Sequence, residues 1–271
     1  MDKVWSNKEL DTWLATSGET KAIFPGVPIV DPHHHVFPIT KGSSNPNDPR
    51  TQIMLRTFAR APLNGYSGLD WEKDARLVDI HATVYAEAHV AYDGQLPYPV
   101  IGEVKFARAN CEDYNTKGFC KGLIAPIDLT QTVEEIETRI ALYKTALGQS
   151  GCILSGVRAH FAVHDVFLST GSASVDTCVI GARAIGDLGL VLDVWLYHGQ
   201  VPEIAKLASL CPNTTIVCDH IASPVGTNDE VFKEWGQNML LLAKQKNVCV
   251  KLGEFSYHLK LFQVTNRLRQ K

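Results

Sequence analysis

The sequence predicts an α/β fold of parallel strands alternating with helices: a TIM-type (β/α)8 barrel that stops one unit short, with seven strands. Three observations point there. Seven strand-like runs, 29–37, 83–90, 123–129, 156–161, 190–197, 215–221 and 248–255, are rich in Val, Ile and Leu with little polar alternation. Strands of a parallel sheet read this way when both faces are covered. Helical patterns fill most of the gaps, giving strand-then-helix units of about thirty residues that suit right-handed βαβ crossovers. An open doubly wound sheet fits the same rhythm. No G-x-G-x-x-G follows the first run, however, and no G-x-x-x-x-G-K-S/T occurs, so the nucleotide-binding version loses its main support.

The first run, Val27-Pro28-Ile29-Val30, leads straight into Asp31-Pro32-His33-His34-His35. A strand repeats its side-chain direction every two residues, so His33 and His35 share a face and His34 points the other way. Two neutral imidazoles presented together are half of a zinc-type site. His34 reads as structural. Behind this strand, 38–68 breaks the rhythm with a polar stretch rich in Gly, Ser, Asn and Pro, then Arg56 and Arg60 among apolar residues. A stretch of that length reads as an active-site lid loop, with its arginines solvated.

The second run carries Glu87 in Val84-Tyr85-Ala86-Glu87-Ala88. After the third comes the clearest helix, 132–147, opened by a Thr132-x-x-Glu135 capping box and closed by Gly148. The fourth run holds Gly156-Val157-Arg158, and the fifth ends in Tyr197-His198. Helix 201–210 follows and stops at Cys211-Pro212. The sixth run contains Asp219-His220. Helix 230–246 should turn Leu240, Leu241 and Leu242 toward the sheet and place Lys244 and Lys246 in its last turn. In a closed barrel the carboxyl ends of the strands share one mouth, so Glu87, Arg158, His198 and His220 would join the histidine pair.

At 271 residues, 45% hydrophobic and 20% charged, the chain suits one domain, 1–271, with an N-terminal extension over 1–26 and an atypical tail over 257–271. A net charge of -3 gives no basic face for nucleic acid and no polybasic membrane anchor. No signal-peptide core or spanning run is present, so a cytoplasmic enzyme with reduced thiols is expected. The seven cysteines include no C-x-x-C pair.

The pattern resembles the amidohydrolase superfamily, within it the amidohydrolase-related branch of dicarboxylate and sugar lactonases. The resemblance runs from Ile29 to Phe255. It rests on D-x-H-x-H at Asp31–His35, V-Y-x-E-A at Val84–Ala88, G-V-R at Gly156–Arg158, the Tyr197-His198-Gly199-Gln200 turn, D-H-I-x-x-P at Asp219–Pro224 and V-K-L-G at Val250–Gly253. It implies a barrel of the metal-dependent hydrolase kind, with His33, His35 and His198 as metal ligands. His220 would be catalytic above the substrate, and Arg158 would hold a carboxylate or carbonyl oxygen with its bidentate fork. Tyr197 and Glu87 would meet the substrate, Glu87 also steadying a histidine tautomer. The cofactor implied is one divalent ion, of which zinc is the first choice, although some lactonases of this branch work without a tightly held metal. Arg158 stands where binuclear members carry a bridging lysine, which argues for a single ion.

Relatives end in an eighth strand bearing an aspartate base, and no such aspartate follows Glu254. The expectation is therefore a hydrolase of a cyclic ester or related carbonyl substrate whose last unit is absent and whose 271-residue form associates and turns over poorly. Two alternatives stand beside it: a metal-dependent decarboxylase of an aromatic or enol acid, and an inactive remnant that binds a ligand. The expected partner is a small, anionic substrate; homo-oligomers are compatible with the sequence.

Overall fold

The computed structural model describes residues 25–38, 65–95, 98–114, 118–161, 174–224 and 228–253, with the isolated positions Thr12 and Thr16. Nearly all of the 1–26 extension, most of the 38–68 segment with Arg56 and Arg60, and the 257–271 tail lie outside these residues. Among the described residues seven strands form a sheet in chain order, β1 to β7. The chain divides into two compact units, Met1–Leu123 with Thr145–Ile153, and Ile124–Lys144 with Leu154–Lys271. No helix among the described residues is long and apolar enough to cross a membrane.

In the first unit, β1 (Pro28–His34) pairs in parallel with β2 (Asp79–Ala86). The register slips between Asp31 and His34. Pro32 lies in that gap and has no N–H to give a ladder. Asp31 fills the break locally, its Oδ1 accepting from His33 N at 3.0 Å. Phe37 and Tyr66 then exchange backbone hydrogen bonds of 2.9 Å in an antiparallel bridge, just ahead of α1 (Gly68–Asp74). Helix α2 (Ile101–Asp113) follows β2. Strand β2 begins four residues before the expected run and stops at Ala86, because His89 and Ala91 take left-handed φ values of 56° and 53°. Glu87 accordingly stands just beyond the strand rather than within it.

Strand β3 (Gly122–Pro126) is divided between the units. Apart from the end of α3 and the first residue of β4, which fall in the first unit, the second unit continues through α3 (Val133–Leu147), β4 (Ile153–His160), α4 (Val175–Asp187), β5 (Val191–Trp195), α5 (Val201–Leu210), β6 (Ile216–Cys218), α6 (Asp229–Leu242) and β7 (Val248–Val250). The capping box forms as expected: Thr132 N donates to Glu135 Oε2 at 2.8 Å, and Glu135 N donates back to Thr132 Oγ1 at 3.2 Å. Helix α5 matches its expected bounds. Helix α6 ends earlier than expected, leaving Lys244 and Lys246 beyond it. Of its three leucines only Leu242 is buried; Leu240 and Leu241 are exposed. Consecutive helical residues point about 100° apart, so three in a row cannot all face one sheet.

Parallel pairing joins β4, β5, β6 and β7 in turn. Gly156 carries the closest approach, since a Cβ there would meet Val191 O at 2.5 Å. That bare position seats β4 against β5 and brings Arg158 into register with Asp193.

Candidate active site

The first unit holds the histidine pair. His33 Nε2 and His35 Nε2 face each other at 3.2 Å, with the rings nearly perpendicular. His35 Nδ1 lies 2.8 Å from Ala86 O, the last residue of β2. A carbonyl only accepts, so Nδ1 carries the proton and Nε2 keeps its lone pair. Two nitrogens each about 2.0–2.1 Å from a tetrahedral ion stand about 3.3–3.4 Å apart, so the pair fits two corners of a zinc-type site. The carbonyl behind His35 is the kind of outer support that fixes a ligand's tautomer. His34 points away, packing on Phe119 and Cys120. Burial, then the His35 charge, lowers its pKa to about 3, so it stays neutral and structural.

Glu87 is buried, with Oε2 3.4 Å from His89 Nδ1. Beside it lies a residue that no motif marks. Glu103 of α2 is also buried, and its Oε1 accepts from Tyr85 Oη at 2.8 Å and from Ala88 N at 2.6 Å. Burial, then repulsion from Glu87, raises its pKa to about 8. Glu103 is therefore pushed toward its protonated form, and it pins the backbone directly after Glu87.

In the second unit four charges interlock. Arg158 gives Nε to Asp193 Oδ1 at 2.6 Å and one terminal nitrogen to Asp219 Oδ2 at 2.8 Å. Lys251, the residue after β7, places its ammonium on Asp193 Oδ2 and on Asp219 Oδ1, the latter at 3.0 Å. Both carboxylates and the arginine are buried. Burial pushes Asp193 upward against the pull of Arg158. Burial opposes Asp219 as well, but Arg158 and Lys251 together hold it below the ordinary range. Two positive and two negative groups cancel, which is how such charges tolerate burial.

Asp219 opens an unusual turn. His220, Ile221, Ala222 and Ser223 have φ of 50°, 50°, 60° and 37°. None is glycine, and a β-branched residue such as Ile221 is seldom left-handed. Each such residue costs about 1–3 kcal/mol, so surrounding contacts must over-determine the turn. His220 thus stands beyond β6, on strained backbone, with Gly253 alongside: a Cβ on Gly253 would lie 3.9 Å from His220 Nδ1.

His198 likewise stands outside its strand, opening the one-turn 3-10 helix His198–Gln200. It is buried, its carbonyl accepts from Asn238 Nδ2 at 3.0 Å, and its Nε2 lies 3.9 Å from Glu234 Oε2. Tyr197 N donates to Gln200 Oε1 at 3.0 Å, and burial raises the Tyr197 phenol. His160, two residues after Arg158, is buried against Trp195 at a ring separation of 5.5 Å.

The geometry therefore joins His33 with His35, and places Arg158 and His220 on either side of Asp219. Asp193, Lys251 and Glu103 escaped the sequence reading. Asp193 could have been found, as an acid inside the apolar run 190–196. Lys251 lies within V-K-L-G but has no spacing signal, and Glu103 is one of many helical glutamates.

No curated protein sequence matches the chain. Among solved structures, it is similar to an amidohydrolase from Burkholderia multivorans with bound zinc (16% identity, 88% of this chain and 73% of that one, TM-score 0.63). It is also similar to a probable 2-pyrone-4,6-dicarboxylic acid hydrolase from Acinetobacter baumannii with citric acid bound (15%, 89% and 76%, TM-score 0.55). A third is an uncharacterized TIM-barrel protein from Bordetella bronchiseptica (14%, 89% and 82%, TM-score 0.53). At these identities the likeness is one of fold, the TIM-type strand–helix alternation. The amidohydrolase family model matches residues 30–269, and the chain belongs to the amidohydrolase family.

Proposed function

We propose that this amidohydrolase uses water to open an anionic cyclic ester, releasing the hydroxy acid. The observation that carries the proposal is the facing His33 and His35 Nε2 pair, with the His35 tautomer fixed by Ala86 O. The substrate class is taken from the Acinetobacter baumannii neighbour, named for a pyrone dicarboxylate and binding citric acid; a pyrone is a six-membered cyclic ester.

In this reading His33 and His35 hold a divalent ion, zinc first. His198 joins them on the strength of its motif. The ion would supply Lewis-acid polarisation of the ester carbonyl. His220 accepts a proton from the attacking water as the new carbon–oxygen bond forms. The ring carbon–oxygen bond then breaks, and His220 returns that proton to the leaving ring oxygen. The carboxyl so formed ionises, releasing one proton per turnover. Arg158 shares its charge with two carboxylates, so its part is to stabilise a carbonyl oxygen rather than to pair with a full substrate carboxylate. Tyr197 and Glu87 contact the substrate, Glu87 on backbone steadied by Glu103.

The test is a panel of sugar lactones and pyrone carboxylates incubated with the zinc-loaded chain, followed by proton release and product mass. Gain of one water with one proton per turnover is expected. Carbon dioxide without water uptake, or no product from the panel, overturns the proposal.

A further inference from the structure

The His220–Ser223 turn is fastened from two directions, and neither fastener was singled out by sequence. Lys251 grips the turn and the two residues ahead of it. Its N–H donates to Cys218 O at 2.9 Å, before the turn, and its carbonyl accepts from Ile221 N at 3.1 Å, within it. Its ammonium meets the Asp219 carboxylate at 3.0 Å. These contacts straddle His220. From α6, Trp235 Nε1 donates to Ile221 O at 2.8 Å. The turn closes on itself through Ser223 N to His220 O at 2.8 Å. Four successive left-handed residues do not hold this shape unaided.

We propose that Lys251 and Trp235 are the positioning residues of His220: the lysine ties the turn to the Arg158–Asp193–Asp219 charge cluster, the tryptophan ties it to α6, and together they aim the imidazole. Asp193 acts through Lys251. The idea rests on His220 being catalytic, as proposed above, for its kinetic consequence but not for its structural one.

Three variants separate the fasteners. Lys251→Met removes the ammonium while keeping its backbone hydrogen bonds; Lys251→Arg restores a cation. Trp235→Phe deletes one N–H and keeps an aromatic ring beside Phe232. In each of Lys251→Met and Trp235→Phe, kcat on an accepted lactone should fall about tenfold or more with KM within about threefold. Lys251→Arg should recover most of the loss. Exchange of the Ile221 and Ser223 amides should quicken about tenfold while α4 amides change little, and the His220 ring resonances should shift or broaden. Unchanged turn exchange and unchanged His220 resonances in Trp235→Phe and in Lys251→Met overturn the inference. So does quickening that spreads equally through α4, which would mark general loosening. If Lys251→Met does not fold, Trp235→Phe decides alone. If no lactone is hydrolysed by the unaltered chain, the exchange and resonance measurements still decide this inference, and only the proposed function falls.

Discussion

His33 Nε2 and His35 Nε2 stand 3.2 Å apart, and His35 Nδ1 is engaged by Ala86 O, so one lone pair of His35 is committed to whatever lies between the rings. Either one Nε2 is protonated and the rings share a hydrogen bond, or both lone pairs converge on a cation. A neutral His33 frees its Nε2 by carrying its proton on Nδ1 instead, so zinc binding should release protons only where the pH is low enough to make an imidazole cationic. His33→Ala and His35→Ala should each weaken zinc affinity by about 100-fold or more, measured by competition with a chelator. His198→Ala should follow if the third ligand is as proposed. A His33→Ala protein that keeps one zinc at undiminished affinity would remove the metal reading.

Arg158 cannot be deleted without consequence to the fold. Its side chain is buried and its Nε and one terminal nitrogen serve Asp193 and Asp219. Arg158→Ala removes a shared cation from two buried carboxylates, which should cost about 3–5 kcal/mol of stability. Arg158→Lys should recover part of that, since it restores charge but not the planar fork. Urea unfolding midpoints decide the matter. A loss under about 1 kcal/mol would mean the cluster is hydrated and Arg158 is free to act elsewhere.

What the sequence disclosed was what repeats locally. The His33–His35 pairing follows from a period of two, and the Thr132–Glu135 box from a spacing of three. Helix α5 announced its end at Cys211-Pro212. Strand ends were less legible. Cys218-Asp219-His220-Ile221 reads as continued strand because no glycine announces the left-handed turn that begins at His220. The charge cluster was hidden for a different reason. Arg158, Asp193, Asp219 and Lys251 come from four strands or their ends, and only pairing registers such as Arg158 with Asp193 bring them together. Leu240 and Leu241 misled because apolar character was read without helical phase.

Thr132→Ala offers a check well away from the charged groups. Thr132 Oγ1 accepts from Glu135 N at 3.2 Å and the Glu135 carboxylate answers Thr132 N at 2.8 Å. Losing the cap should lower the thermal midpoint by about 2–4 °C and leave lactone kinetics unchanged. A change in KM or kcat would tie α3 to the active site in a way the present geometry does not.

Glu103 gives stability a pH dependence of definite sign. Its pKa rises from the ordinary glutamate value of 4.5 to about 8, through burial and then repulsion from Glu87. Between those two values the folded chain binds a proton that the unfolded chain has lost. Stability from this group is therefore full at low pH and is lost as pH rises toward 8, by up to about 1.4 kcal/mol per pH unit. Glu103→Gln mimics the protonated acid and keeps an oxygen for Tyr85 Oη and Ala88 N. Near pH 5 the variant and the parent should differ little. From pH 5 to 8 the variant should gain on the parent, on the order of a few kcal/mol, and the gap should level off above pH 8. The difference between the chemical-denaturation curves of variant and parent reports Glu103 together with its repulsion from Glu87. Parallel stability curves across that range would show that Glu103 is ionised in the folded chain, and that Tyr85 and Ala88 serve a carboxylate instead of an acid.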